Sequence, residues 1–113
     1  MCLSIHVCRA AIDGVLLMRA AASGSKSQVR EQLDKGVNAN VRSPSDGSTA
    51  LLEAAAGGHL SVCRILLHQQ ADINACNNHN QSPLHAAAIA GHSAVCKLLI
   101  DNHADVSIAS VCV

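Results

Sequence analysis

Residues 82–92 read SPLHAAAIAGH, and residues 49–59 read TALLEAAAGGH. The two stretches lie 33 positions apart, and the register runs on beyond them: Leu51, Ala54, Ala55, Gly58, His59, Val62, Cys63, Leu66, Leu67, Ala71 and Asp72 recur as Leu84, Ala87, Ala88, Gly91, His92, Val95, Cys96, Leu99, Ile100, Ala104 and Asp105. So many coincidences at one spacing mark an internal repeat. A unit of this length cannot bury its apolar face alone, so the units must stack into a solenoid in which each packs against its neighbours.

Each unit reads as two helices. Thr49 and Ser82 stand where a hydroxyl caps a helix start, and Pro83 supplies a pre-set first helical position. The alanine runs at 54–56 and 86–88 allow close helix approach, whereas Val62, Ile65, Leu66 and Leu67 make the second helix bulky. Small inside and large outside bends the stack. A degenerate earlier unit is visible because Ala20, Ala21, Gly24, Leu33, Gly36 and Asn40 stand 34 positions ahead of Ala54, Ala55, Gly58, Leu67, Gln70 and Asn74. Its extra residue falls in the loop holding Ser43, Pro44 and Ser45. LLMRAAASG reads as the first helix of this unit and SKSQVREQLDKG as the second, with Lys26, Arg30, Glu31 and Lys35 on an outer face. Asp46 and Gly47 are a strong turn signal in the loop that follows.

The residues that carry the period resemble the ankyrin repeat, whose pattern is a TPLHxAA helix start, a GH turn, an apolar second helix and a GADVNA exit. The resemblance covers about residues 10–107 and is closest in 77–109. It implies an all-α ankyrin-repeat solenoid of stacked helix-turn-helix units joined by β-hairpin-like loops. The expected organisation is a non-repeat lead-in at 1–9, a degenerate repeat at 10–43, repeats at 44–76 and 77–109, and an apolar tail at 110–113. It also implies a histidine at the TPLH position, here His85, that braces the cap hydroxyl. Repeat two has Leu52 instead, which predicts a softer helix start there.

Composition narrows the function. Eight basic and eight acidic side chains cancel, so no long-range field draws the chain to nucleic acid or to an anionic membrane. No Phe, Tyr or Trp is present, so a partner surface lacks the aromatic anchors that usually dominate interface energy. Six cysteines, at 2, 8, 63, 76, 96 and 112, suggest a disulfide framework only until two of them are placed inside helical repeats. A reducing cytoplasmic or nuclear setting is expected. His6, Arg9 and Asp13 interrupt the apolar N-terminus, so neither a signal peptide nor a membrane span is expected. Nothing after Asp105 is charged, and self-association through the apolar ends is one consequence.

Chemistry-bearing residues are sparse. His59 with Cys63, and His92 with Cys96, have the four-residue spacing of metal ligands on a helix face, but a turn histidine and a core thiol explain both pairs. Cys76 and His79 share one loop tip and form a looser zinc or redox pair. No nucleophile elbow, phosphate loop or paired carboxylates are present, so catalysis is not expected and no cofactor is implied.

The resemblance therefore implies a protein-binding module that uses first-helix faces and loop tips. Matched by register, the partner-contact positions are Arg42, Ser45, Asp46, Ser48, Asn78, His79 and Gln81 on the tips, with Glu53, Ile89 and Ala90 on the helices. The alternatives are a structural segment or short form of a larger ankyrin scaffold without its own partner, and a metal- or redox-responsive protein using Cys76 and His79. The family is also a substrate of an asparaginyl hydroxylase that inhibits the hypoxia-inducible factor. Leu66, Asp72, Ile73 and Asn74 resemble its preferred pattern, which makes Asn74 a candidate for hydroxylation and Asn40 a weaker one.

Overall fold

The computed structural model describes residues 15–43 and 46–103. Helix α1 occupies residues 15–23, followed by α2 (Lys26–Asp34), α3 (Ala50–Gly57), α4 (Leu60–His68), α5 (Pro83–Ala90) and α6 (Ser93–Asp101). Among the described residues there is no strand, only one isolated antiparallel bridge between Arg42 and Thr49. The helices pair as α1–α2, α3–α4 and α5–α6. In the stack α3 lies on α5, while α2, α4 and α6 follow one another as a second row. The fold is the all-α stack of helix-turn-helix units that the period predicts. The lead-in at 1–9, Ser45 and the tail at 110–113 lie outside the described residues, as do the apolar ends invoked for self-association.

Side-chain size assigns the rows. The first helices meet through Ala20, Ala21, Ala54, Ala55 and Ala87, all buried, so their backbones approach closely. The second helices fill the space with Val29, Val62, Leu66, Val95 and Leu99, each essentially inaccessible. Cys63 sits among them, and burial pushes its thiol up to about 12, so it behaves as a small core hydrophobe. Cys63, Cys76 and Cys96 are all free thiols.

Thr49 Oγ1 accepts the backbone N–H of Leu52 at 3.2 Å, and Ser82 Oγ accepts that of His85, also at 3.2 Å. Two expectations change here. The cap bond at His85 is made by the backbone and not the ring, whose buried Nδ1 has no partner among the described residues. Because the backbone makes it, Leu52 in repeat two carries a cap bond of the same length, so the histidine missing there removes no cap bond.

Each first helix closes on a left-handed glycine, Gly24, Gly58 or Gly91. In the two turns that precede another helix pair, the glycine has a second role. A Cβ built on Gly24 would lie 2.5 Å from Nδ1 of His59, and one on Gly58 would lie 2.7 Å from Nδ1 of His92. The same rings reach the preceding unit through their other nitrogen: His59 Nε2 donates to the Ala22 carbonyl at 2.8 Å, and His92 Nε2 donates to the Ala56 carbonyl at 3.1 Å. Since a carbonyl only accepts, both rings carry their proton on Nε2. The Gly-His dipeptide thus supplies both surfaces of the junction: its histidine packs back onto the preceding unit's glycine, and its glycine receives the next unit's histidine.

Gly36, also left-handed, meets nothing within 4 Å and serves as the control for this contact. Gly36→Ala should cost about 1 kcal/mol, the penalty of a left-handed backbone alone. Gly58→Ala should cost about 2–4 kcal/mol, because displacement of the His92 ring adds an overpacking penalty. Urea unfolding of the two variants measures the difference, and equal losses would remove the packing role given to the imidazole.

Candidate interaction surface

The two loop tips follow from backbone demands. In the first, Ser43 N–H donates to the Ser48 carbonyl at 2.8 Å and Gly47 N–H to the Ser43 carbonyl at 2.9 Å, which closes a hairpin at the Asp-Gly turn. The Asp46 carboxylate accepts the Ser48 N–H at 3.1 Å. In the second tip, Asn77 is the organising residue: its side-chain oxygen accepts the N–H groups of His79 at 2.8 Å and Gln81 at 3.1 Å, and its amide donates to Gln81 Oε1 at 3.2 Å. Asn77 is buried and was not singled out by the sequence reading. Its signal was present in the capacity of Asn to satisfy nearby backbone donors in turns.

The tips are stitched to one another. Asn78 N–H donates to the Asp46 carbonyl at 2.8 Å, and Arg42 Nη1 donates to the Cys76 carbonyl at 2.7 Å and to the Gly47 carbonyl at 3.4 Å. A repeat earlier, Asn40 spans the junction in the same way, accepting the Asp72 N–H and donating to the Gln70 carbonyl at 3.3 Å.

This placement sorts the candidate contact residues. Asn78, His79, Ile89 and Ala90 are exposed, and Asp46 and Glu53 are half-buried at the surface. Arg42 is exposed, but its guanidinium is engaged in holding the second tip. Gln81 is half-buried with its side chain bonded to Asn77. Ser48 is only 2% exposed, so its side chain is withdrawn from any partner: it lies inside the turn that Asp46 closes. Ser45 lies outside the described residues.

Asp46 and Glu53 line an open depression of about 230 Å³ together with Val15, Met18, Arg19 and Ala22. Arg19 thus belongs to this surface although the sequence analysis does not single it out; its signal is the register that places it 34 positions ahead of Glu53. Ile89 is 66% exposed, the most accessible large apolar side chain among the described residues. It stands where Ala56 and Ala22 stand in the earlier units. Among the described residues no group of three or more His, Cys, Asp or Glu side chains is placed to hold a metal ion. The Cys76 thiol donates to the Asn74 carbonyl at 3.6 Å. No helix of the described residues is long and apolar enough to cross a membrane.

The Ser48 N–H, and after it the Ser48 hydroxyl, hold the Asp46 carboxyl below its ordinary value of 3.8. A carboxylate whose folded pKa is depressed stabilises the fold above its unfolded pKa, and that contribution is lost as the pH falls through the folded value. Wild-type protein should therefore lose more stability than Asp46→Asn on going from pH 5 to below about pH 3.8, the unfolded value. Urea midpoints at the two pH values measure this, and identical losses would contradict the role given to the carboxylate.

The sequence matches the family described as "Ankyrin repeats (3 copies)" over residues 17–110. It is 40% identical over 68 residues to the human ankyrin repeat and KH domain-containing protein 1, an alignment covering 59% of this chain and 3% of that protein. It is 39% identical over 74 residues to the Danio rerio ankyrin repeat and SAM domain-containing protein 6, covering 66% of this chain and 10% of that protein. The chain thus spans only a small fraction of the length of these relatives. The stacked helix pairs, the Gly-His junctions and the match over most of the sequence show that the chain belongs to the ankyrin-repeat family.

Proposed function

We propose that the chain is a non-catalytic module that binds a partner protein through the row of first helices and the adjoining loop tips. Ankyrin repeats are generally protein–protein interaction modules and are generally non-enzymatic. The observation that carries the reading is Ile89, an isoleucine 66% exposed where the preceding unit has alanine. Such a side chain contributes nothing to the core, and burying it against a partner would contribute about 1.5–3 kcal/mol. Around it, Ala90, Glu53, Arg19, Asp46, Asn78 and His79 offer small, charged and amide-bearing contacts on a backbone that the tip-to-tip hydrogen bonds hold in place. Ser48 is not part of this surface. Cys63 and Cys96 lie inside the helical repeats and not in a disulfide framework of loops, which favours a reducing, intracellular setting.

Since Ile89 and His79 are exposed, Ile89→Glu and His79→Glu should each change stability by no more than about 0.5 kcal/mol. Affinity purification of the intact chain, compared with the two variants by quantitative mass spectrometry, should show partners lost from both. Partners retained by both variants would contradict the assignment of this surface.

We further propose that Asn74 is hydroxylated, on the resemblance of Leu66, Asp72, Ile73 and Asn74 to the hydroxylase pattern. Asn74 is exposed in its turn, with its N–H bonded to the Asp72 carboxylate at 3.0 Å, while Leu66 is fully buried. Recognition of both residues by one enzyme therefore requires the α4 exit to open locally. Peptide mass spectrometry of chain co-expressed with the hydroxylase should show one added oxygen on Asn74, more of it in a variant destabilised by Gly58→Ala. No added oxygen in either protein would contradict the proposal.

A further inference from the structure

Two open grooves lie side by side along the row of second helices. The one between α2 and α4 has a volume of about 270 Å³ and is lined by Arg30, Leu33, Asp34, Ile65, His68 and Gln69. The one between α4 and α6 has about 400 Å³ and is lined by Arg64, Leu67, His68, Leu98 and Asn102. Their floors are apolar, since Leu33, Ile65, Leu67 and Leu98 are half-buried and packed on the core. Arg64 and His68, one turn apart on α4 and both exposed, form the ridge between them.

Charge on this face is unbalanced. Among the described residues, neither Arg30 nor Arg64 makes an ion pair or a side-chain hydrogen bond. Asp34 borders the smaller groove, and no acid lines the larger one. Glu31, the other acid of α2, is paired with Lys35 at 3.5 Å. The ridge therefore attracts an anionic group that the described residues do not supply.

Spacing selects the shape of the occupant. Neighbouring packed helices have axes roughly 8–10 Å apart, which is the spacing of the two grooves. In a helix laid across the row, side chains at i and i+7 share a face and stand about 10.5 Å apart. An extended strand misses, because its residue i+3 lies at about 10 Å but points to the opposite face.

We infer that this face docks an acidic amphipathic helix of a partner protein. Leucine-sized side chains at i and i+7 fill the two grooves, and carboxylates at i+3 and i+4 lie over Arg64 and His68. Both grooves sit within the row, between helices already present, so units added at either end of the stack leave them open. A second copy of this chain offers no such helix. Among the described helices only α3 carries net negative charge, through Glu53, and its Leu51 and Leu52 are buried. Residues 1–14 and 104–113 contain one acid each, Asp13 and Asp105. The inference concerns the second-helix row and does not depend on the first-helix surface proposed above.

The test uses the intact chain and an alanine-based helical peptide of about 18 residues, with leucines at i and i+7 and glutamates at i+3 and i+4. One control peptide moves the second leucine to i+5, off the shared face, and another carries lysines in place of the glutamates. Fluorescence anisotropy should show saturable binding of the first peptide and at least about fivefold weaker binding of both controls. Arg64→Glu should weaken the first peptide at least about fivefold, and Arg64→Gln should weaken it in the same direction. Since Arg64 is exposed, both variants should unfold with the wild-type midpoint, which is checked in parallel. Ile89→Glu should bind the peptide as the wild type does. Absence of binding, a smaller difference in any of these comparisons, or loss of binding in Ile89→Glu would overturn the inference. So would self-association of the chain that Arg64→Glu abolishes, which assigns the grooves to a second copy. Binding that appears only after removal of residues 1–14 or 104–113 would assign them to the chain's own segments and overturn the inference equally.

Discussion

The imidazole that lies against the preceding unit's glycine and bonds to a carbonyl of that same unit is the contact on which the stack depends. Apolar burial alone would let the helix pairs slide or rotate on one another, because alanine surfaces such as Ala54 and Ala87 offer little relief. The His59 and His92 rings remove that freedom. Each needs a glycine to lie against and a carbonyl at hydrogen-bonding distance, and those two demands fix both the separation and the register of adjacent units. A net hydrogen bond contributes only about 1 kcal/mol, so the rings set geometry more than they set total stability. Bulk stability comes from residues such as Leu66 and Leu99, whose truncation would cost about 2–5 kcal/mol each.

At the opposite edge, the loops are held by backbone carbonyls that accept side chains from the neighbouring unit. Arg42 reaches Cys76 and Asn40 reaches Gln70, while Asn78 and Asp46 join main chain to main chain. Fixed backbones with variable outward side chains suit recognition, because little conformational entropy is lost when a partner docks. The price of this arrangement is visible at α4 and α6: Gln70 and His103 adopt the left-handed backbone that Gly36 adopts after α2. These two positions retain larger side chains despite about 1–2 kcal/mol of backbone penalty each.

The period exposed the helix pairs, their caps and their closing glycines, because each of these is decided within a few residues of chain. Thr49, Ser82 and Pro83 occupy the places that local capping rules assign, and the family match runs over residues 17–110. Legibility failed where a side chain's partner lies about one unit away, and where a turn must close before its side chains have partners. Arg42 reads as a surface contact, yet its guanidinium is tied to a carbonyl 34 residues on. Ser48 reads as a loop-tip hydroxyl, yet the hairpin folds it inward. Asn77 reads as one amide in a polar run, and only the closed turn shows that its neighbours are organised by it. The His85 ring follows the same logic: its position in the motif is legible, but the cap bond belongs to its backbone.

The central claim is that histidine rings, each protonated on Nε2 and bonded across a junction, fix neighbouring units in register. Long-range nitrogen–proton correlation spectra of uniformly labelled protein at neutral pH test it directly. The account predicts that His59 and His92 both show the Nε2–H tautomer, with ring protons that exchange slowly and report a hydrogen bond to a carbonyl. Nδ1–H tautomers, or rings exchanging as freely as the exposed His79, would contradict it.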